Sequence, residues 1–165
     1  MECPIARSLE QTGDGWTQLI LRNALLGARR FQDFEETLEI PPTTLARRLD
    51  ALVENGFFER RRYEERPPRE EYHLTDKGRD FAPVLLALAA WGNRWLAPRG
   101  AVLECADPVT GNVLEPIVID RRTRRELAAG NVALRAGPGA SAELRKKLVR
   151  QVMFGKSARG EETRP

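Results

Sequence analysis

Along PPTTLARRLDALVENG, residues 41–56, apolar side chains return at Leu45, Leu49, Leu52 and Val53, the spacing of a helix with one buried face. The opposite side carries Thr44, Arg47, Arg48 and Ala51, a short strip with two guanidiniums where an ordinary solvated helix alternates Glu with Lys. Upstream, the same period predicts three shorter helices. One spans residues 3–12, with Pro4 in its first turn and Ile5 and Leu9 four apart, and ends at Gly13-Asp14-Gly15. The next runs from about Trp16 to Leu26, with Trp16, Leu19, Ile20 and Leu26 facing a core and Gly27 closing it. ARRFQDFEETLE gives the third, anchored by Phe31, Phe34 and Leu38.

After Asn55-Gly56 the period changes. FFERRRY and EEYHLT read as extended runs around EERPPR, whose paired prolines suit a stiff exposed hairpin loop; the pattern leaves open which strand face is buried. Thr75 is an N-cap for one long helix, TDKGRDFAPVLLALAAWGNRWL, kinked at Pro83. Its apolar stripe, Phe81, Leu85, Leu88 and Trp95 widened by Val84 and Trp91, is more than one neighbour in a small domain covers, which points to a partner subunit. Beyond Pro98, AVLECADPVTGNVLEPIVID predicts two or three strands with turns at Asp107-Pro108 and Thr110-Gly111-Asn112. RAGPGAS reads as a loop, ASAELRKKLVRQVMFG as a helix through Leu144, Leu148 and Val152, and KSARGEETRP as a polar tail. The organisation expected is therefore residues 1–97 as the main domain, 98–154 as a β-ribbon plus helix extension and 155–165 as a flexible tail.

Helix, short helix, tight link, helix and then a two-stranded hairpin is the order of a winged helix-turn-helix, mainly α with a small β component. It assigns the Thr/Arg strip a use. A DNA major groove about 12 Å wide admits one helix, read from its N-terminal half, so Pro42, Thr43, Thr44, Arg47 and Arg48 are the candidate contacts. Arginine's planar fork matches guanine O6 and N7, and the N–H groups near Thr43 and Thr44 lie at the positive end of the helix dipole. On the hairpin, Arg61, Arg66 and Arg69 are candidates for the minor groove or adjacent backbone. An arginine pair on a helix is ordinarily a solvated face; the helix-turn-helix position favours DNA here.

Charge qualifies this. The 165-residue chain has a formal net charge of only +3, and Asp50, Glu54, Glu59, Glu64, Glu65, Glu70 and Glu71 balance the arginines of the same stretch. One such module cannot hold DNA by charge alone, so binding should be dimeric. Two cysteines and one histidine make a disulfide framework or zinc site unexpected and leave few candidates for nucleophilic catalysis. Neither cofactor nor metal is expected, nor an enzyme: no triad, metal set or phosphate loop is present. No apolar run approaches the ~20 residues of a membrane span, and the N-terminal MECPIARSLEQ lacks a signal-peptide layout, so a cytoplasmic protein is expected.

Taken together, CPIARSLEQTGDGWTQLILRNALLGARRFQDF, PPTTLARRLDALVENGFFERR, RPPREEYHLTDKG and Pro83 resemble the HxlR family of bacterial winged-helix regulators, relatives of the MarR group, from Cys3 to about Trp91. The resemblance implies a homodimer built from the first and last helices of the core, placing Ile5 and Leu9 with Leu85, Leu88, Trp91 and Trp95 at the interface, and a palindromic operator as partner. It also implies backbone contacts from Arg29 and Arg30. Several members sense thiol-reactive agents through a cysteine near the N-terminus, a position Cys3 occupies; the plainer use of Cys3 is a small residue opening a helix. The segment beyond Pro98 resembles a ribbon that binds zinc through paired cysteines in longer members. Here Thr110, Asp120 and Thr123 stand at those positions, which implies a metal-free ribbon serving packing, dimer support or a ligand pocket. A transcriptional repressor or activator modulated by a small molecule or electrophile is the leading expectation. A protein-interaction module on the same scaffold is the alternative, and it predicts a complex indifferent to Arg47→Ala.

Overall fold

The computed structural model describes residues 2–66, 68–148 and 152–153, which divide into two compact units between Leu114 and Glu115. In the first, α1 (Pro4–Thr12) and α2 (Gly15–Leu25) precede α3 (Phe31–Leu38) and α4 (Pro42–Glu54). The wing follows as β1 (Phe58–Glu65) and β2 (Pro68–Leu74), then α5 (Asp76–Arg79), α6 (Ala82–Leu96) and a short ribbon of β3 (Cys105–Ala106) with β4 (Val113–Leu114). This is the winged helix-turn-helix that the element order predicts.

One cluster holds it together. Ile20 and Leu21 from α2, Phe34 from α3, Leu45, Leu49 and Leu52 from α4, and Phe58 from the wing are fully buried. Each such side chain contributes roughly 1.5–3 kcal/mol on burial. The rings of Phe34, Phe58 and Tyr72 meet at 6.2–6.4 Å, which fixes the hairpin against the helices. Of the residues expected to face this core on α2, Ile20 does and Trp16 is half-buried, but Leu19 and Leu26 are exposed. The helix stops at Leu25, so Leu26 falls in the turn that Gly27 makes at φ 108°. Leu21, not among the residues expected to face the core, is fully buried.

The turn between α3 and α4 is tight. Glu39 ends α3 at φ 51°, an unusual left-handed conformation for a residue with a Cβ, Ile40 is buried, and Pro42 opens α4 without leaving an N–H unpaired. Asp14 caps α2, accepting from the Thr17 N–H at 3.1 Å. Asp14→Ala should lower the unfolding temperature by a few degrees, the loss of a helix cap of about 1 kcal/mol, as read by circular dichroism melting.

β1 and β2 pair antiparallel from Phe58↔Leu74 to Glu65↔Pro68, with a bulge between Arg62 and Glu64. Strand pairing thus continues into the prolines expected to form the loop, because Pro68 sits at a strand's first position, where a missing N–H is tolerated. Pro67 lies outside the described residues. A third, one-residue strand is added by Arg30, bridged to Glu71, while the Tyr72 N–H donates to the Arg29 carbonyl at 2.7 Å.

The single long helix expected after Thr75 is two. Thr75 does cap, accepting from the Gly78 N–H at 3.2 Å. Gly78 then packs so closely on the Phe57 carbonyl that a Cβ has no room, and Pro83 cannot donate to the preceding turn, so the chain breaks and restarts at Ala82 with Pro83 in the first turn of α6.

In the second unit, Ile119 bridges Glu126, and β5 (Ala133–Leu134) pairs with β6 (Val152–Met153) beside α7 (Ala142–Lys147). Val152, expected on a helix, is in a strand: α7 has ended by Leu148, and the β5 edge supplies Val152 with ladder partners. The polar tail, 155–165, lies outside the described residues.

Candidate nucleic-acid interface

α4 turns Leu45, Leu49 and Leu52 inward, which leaves Pro42, Thr43 and Arg47 exposed and Thr44 half-exposed along its N-terminal half. The Thr44 N–H is already bonded to the Pro41 carbonyl at 2.9 Å, so the outward-facing backbone donor of this turn is that of Thr43. Arg47 has no ion-pair partner among the described residues. Its neighbour Arg48 is placed differently. Half-buried, it turns back toward α2, with Nε 3.3 Å from Asp14 Oδ1 and no well-aligned hydrogen bond. The two arginines that sequence alone treats as a pair therefore divide: Arg47 faces out, and Arg48 ties α4 to the cap of α2.

The wing's arginines are mostly matched. Arg60 lies against Asp50 of α4 and Glu70, Arg61 against Glu59, Arg62 3.5 Å from Glu65, and Arg69 3.3 Å from Glu64. These pairs are exposed, so each is worth little in stability and can be exchanged for a phosphate at small cost. Arg66 is exposed at the tip and has no ion-pair partner among the described residues. Asp50 was legible only as an unfavourable charge; in the fold it orients Arg60.

Arg29 and Arg30 stand at the corner before α3. The Asp33 carboxylate accepts both their backbone N–H groups, at 2.9 and 2.8 Å, which holds its pKa below the ordinary value. The Arg30 guanidinium donates to Glu71 at 3.0 Å and lies 4.4 Å over the Tyr63 ring; the Arg30 hydrogen bond in turn holds the Glu71 carboxyl low. Arg29 donates to His73 Nδ1 at 3.1 Å, and because a guanidinium can only donate, the neutral ring carries its proton on Nε2, 3.1 Å from Glu71. Both carboxyl pKa values are lowered by folding, so their stabilising effect is complete above the ordinary carboxylate range and is lost as pH falls through the lowered folded values. Asp33→Asn should flatten the acid limb of a melting-temperature curve below about pH 4 and lower the neutral-pH value by a few degrees.

A second surface bears on assembly. On α6, Phe81 just before it and Leu85 pack on the core, whereas Val84, Leu88, Trp91 and Trp95 form an exposed stripe with Trp91 55% and Trp95 64% accessible. Ile5 and Leu9 of α1 are exposed too. Of the six residues expected at a dimer interface, Leu85 faces its own core and five are uncovered.

The remaining candidates do not join these surfaces. Cys3 is exposed at the N-cap of α1 and Cys105 is half-buried in β3. In the ribbon, Asp107 accepts from the Val109 and Thr110 N–H groups and the Thr110 hydroxyl, and Asp120 likewise from the Thr123 N–H and hydroxyl; these bonds hold both carboxyls below their ordinary pKa. Thr110, Asp120 and Thr123, the residues expected at the ligand positions of a zinc ribbon, are thus engaged in closing their own turns. No helix among the described residues is long and apolar enough to cross a membrane.

A family profile described as HxlR-like helix-turn-helix matches residues 12–100. Rv3095 of Mycobacterium tuberculosis, named an uncharacterized HTH-type transcriptional regulator, is 40% identical over 141 residues, 85% of this chain and 89% of its own. A similarly named regulator of Synechocystis, sll1512, is 39% identical over 95 residues, 57% of this chain and 70% of its own. Among solved structures, PA1374, a candidate transcription factor of Pseudomonas aeruginosa, shares 44% identity, covering 88% of this chain and 100% of its own at a TM-score of 0.65. The redox regulator HypR, solved in its reduced form, shares 30% identity, covering 58% of this chain and 97% of its own at a TM-score of 0.53.

Proposed function

The chain belongs to the HxlR-like helix-turn-helix family of transcriptional regulators, and from that premise we propose that it acts as a homodimer that grips a palindromic operator with two α4 helices and two wings. The observation that carries this reading is the division of α4: its leucines are wholly buried, while Thr43 and Arg47 stand uncovered at the end of the helix that enters a major groove. Arg47 reads base edges, the Thr43 N–H and hydroxyl hold a phosphate, and Arg66 at the wing tip follows the neighbouring groove or backbone, with Arg61 and Arg69 exchanging their carboxylates for phosphates. Arg29 and Arg30 flank the same strand. Thr44 and Pro42 shape the entry of α4, and Arg48 acts by holding α4 against α2.

The exposed stripe of α6 with Ile5 and Leu9 of α1 forms the dimer contact. With so few unmatched cations per copy, the second copy supplies the remaining affinity and sets two recognition helices about 34 Å apart. Bound there, the dimer blocks or repositions polymerase from the cytoplasm.

Titrating the protein onto the DNA flanking its own gene, at several salt concentrations, tests this. A sharp complex whose log affinity falls linearly with log salt is the expected result; retention that is indifferent to sequence and salt, or none at all, contradicts it. A secondary reading, favoured by the exposure of Cys3 at a helix N-cap and the likeness to HypR, is that oxidation of Cys3 modulates the complex.

A further inference from the structure

Between the last turn of α2, the turn after it, the wing and α5 lies a cleft of about 320 Å³, to which the DNA-binding reading assigns no ligand. Its size falls at the lower end of small-molecule sites. One wall is apolar, with Leu25 and Ala28 on the α2 side and Leu74 on the strand side. Three guanidiniums, Arg29, Arg61 and Arg79, line the rest together with Tyr72 and His73, and no carboxylate is among the lining residues.

The carboxylates that pair with two of these arginines lie outside the lining. Glu59 pairs with Arg61, and Asp76 lies 2.7 Å from Arg79. Arg29 has no carboxylate partner among the described residues, and its guanidinium contact is the single bond to His73 Nδ1. Most of its five N–H donors remain free for a ligand. The backbone around it is fixed: the Arg29 carbonyl accepts from Tyr72, its N–H donates to Asp33, and Arg79 donates to the Leu74 carbonyl. The backbone that frames the cleft is therefore fixed, and a ligand entering it has mainly side chains to order.

We propose that this cleft binds a small organic monocarboxylate carrying one aryl or branched-alkyl group, its carboxylate forked by Arg29 and Arg79 and its hydrocarbon body against Leu25, Ala28 and Leu74. Cations alone would suit any anion. The apolar wall is what distinguishes a carboxylate with a hydrocarbon body from inorganic phosphate or acetate, which have nothing to place there. Because Arg29 and Arg61 are also assigned to the DNA backbone, an occupied cleft withdraws them from phosphate; this consequence rests on the DNA-binding reading.

Benzoate is the probe. In amide NMR spectra of the full chain without DNA, benzoate should produce saturable shifts at Leu25, Arg29 and His73, with a dissociation constant on the order of a millimolar or tighter. Acetate and inorganic phosphate at the same ionic strength should not. Arg79→Gln, outside the assigned DNA surface, should weaken benzoate binding about tenfold, and Ala28→Leu, which fills the cleft and keeps every charge, should abolish it. Absence of saturable shifts, equal shifts with all three anions, or wild-type binding by both variants overturns the site. Operator affinity should fall severalfold in saturating benzoate; if benzoate binds and operator affinity is unchanged, the coupling is overturned and the site stands.

Discussion

Trp91→Glu combined with Trp95→Glu is expected to leave a folded monomer that no longer retains operator DNA. Both rings are more than half exposed, so the isolated fold loses little when they go. In a two-fold interface each substitution acts twice. A buried tryptophan at the centre of an interface is typically worth 2 kcal/mol or more, and the substitution also sets carboxylates from the two copies against each other on an apolar surface. Even at about 4 kcal/mol in total, dimer dissociation rises roughly a thousandfold. Sedimentation equilibrium reads the dissociation, and circular dichroism confirms the retained fold. Leu85→Ala makes the internal comparison: because Leu85 packs on the core of its own chain, it should lower the melting temperature instead of splitting the dimer cleanly.

Arg47→Ala is expected to lower operator affinity by a hundredfold or more and to relax base preference at one position in each half-site. A bidentate arginine–guanine contact discriminates by about 1–3 kcal/mol, and the dimer loses two of them. Arg66→Ala should weaken all sequences alike and reduce the salt slope by about 2, one phosphate contact per copy. Arg48→Ala separates the structure's assignment from the sequence's. Its Nε faces Asp14, so the variant should bind with unchanged base preference and a modest loss of stability. Competition binding on a set of single-base operator variants distinguishes all three. An unaffected partner complex after Arg47→Ala, with no DNA retained, would instead support a protein-interaction module.

Much of this architecture was legible because its signals are local. The leucine period of α4, the Asn55-Gly56 stop after it and the Thr75 cap each act within one or two turns, and they hold. Legibility failed where a distant element decides. The seat of α5 depends on Gly78 meeting the Phe57 carbonyl, a contact across 21 positions that no helical period contains, and Pro83, read as a kink, ends up in the first turn of a separate helix. Val152 went to a strand because the β5 edge was there to receive it. Likewise Arg47 and Arg48 are adjacent and chemically identical, and only the placement of Asp14, 34 residues earlier, separates them. The wing's arginines show the same limit in part: their number was plain, but Arg69 meets Glu64 through strand register and Arg60 meets Asp50 of α4, whereas Arg61 and Arg62 face carboxylates of their own strand.

The uncovered α6 stripe was foreseeable for a different reason. A stripe wider than one neighbour can cover is a property of composition and period together, and both are in the sequence. The cleft beside Arg29 was not foreseeable, since its lining is drawn from α2, the turn after it, both strands and α5.

Hydroxyl-radical footprinting of the protein on its operator, with the number of bound chains determined on the same complex, tests the central claim most directly. Two bound copies protecting two patches on one face of the duplex, about 34 Å apart, is the result predicted. A single bound chain, or continuous protection without a helical repeat, would contradict it.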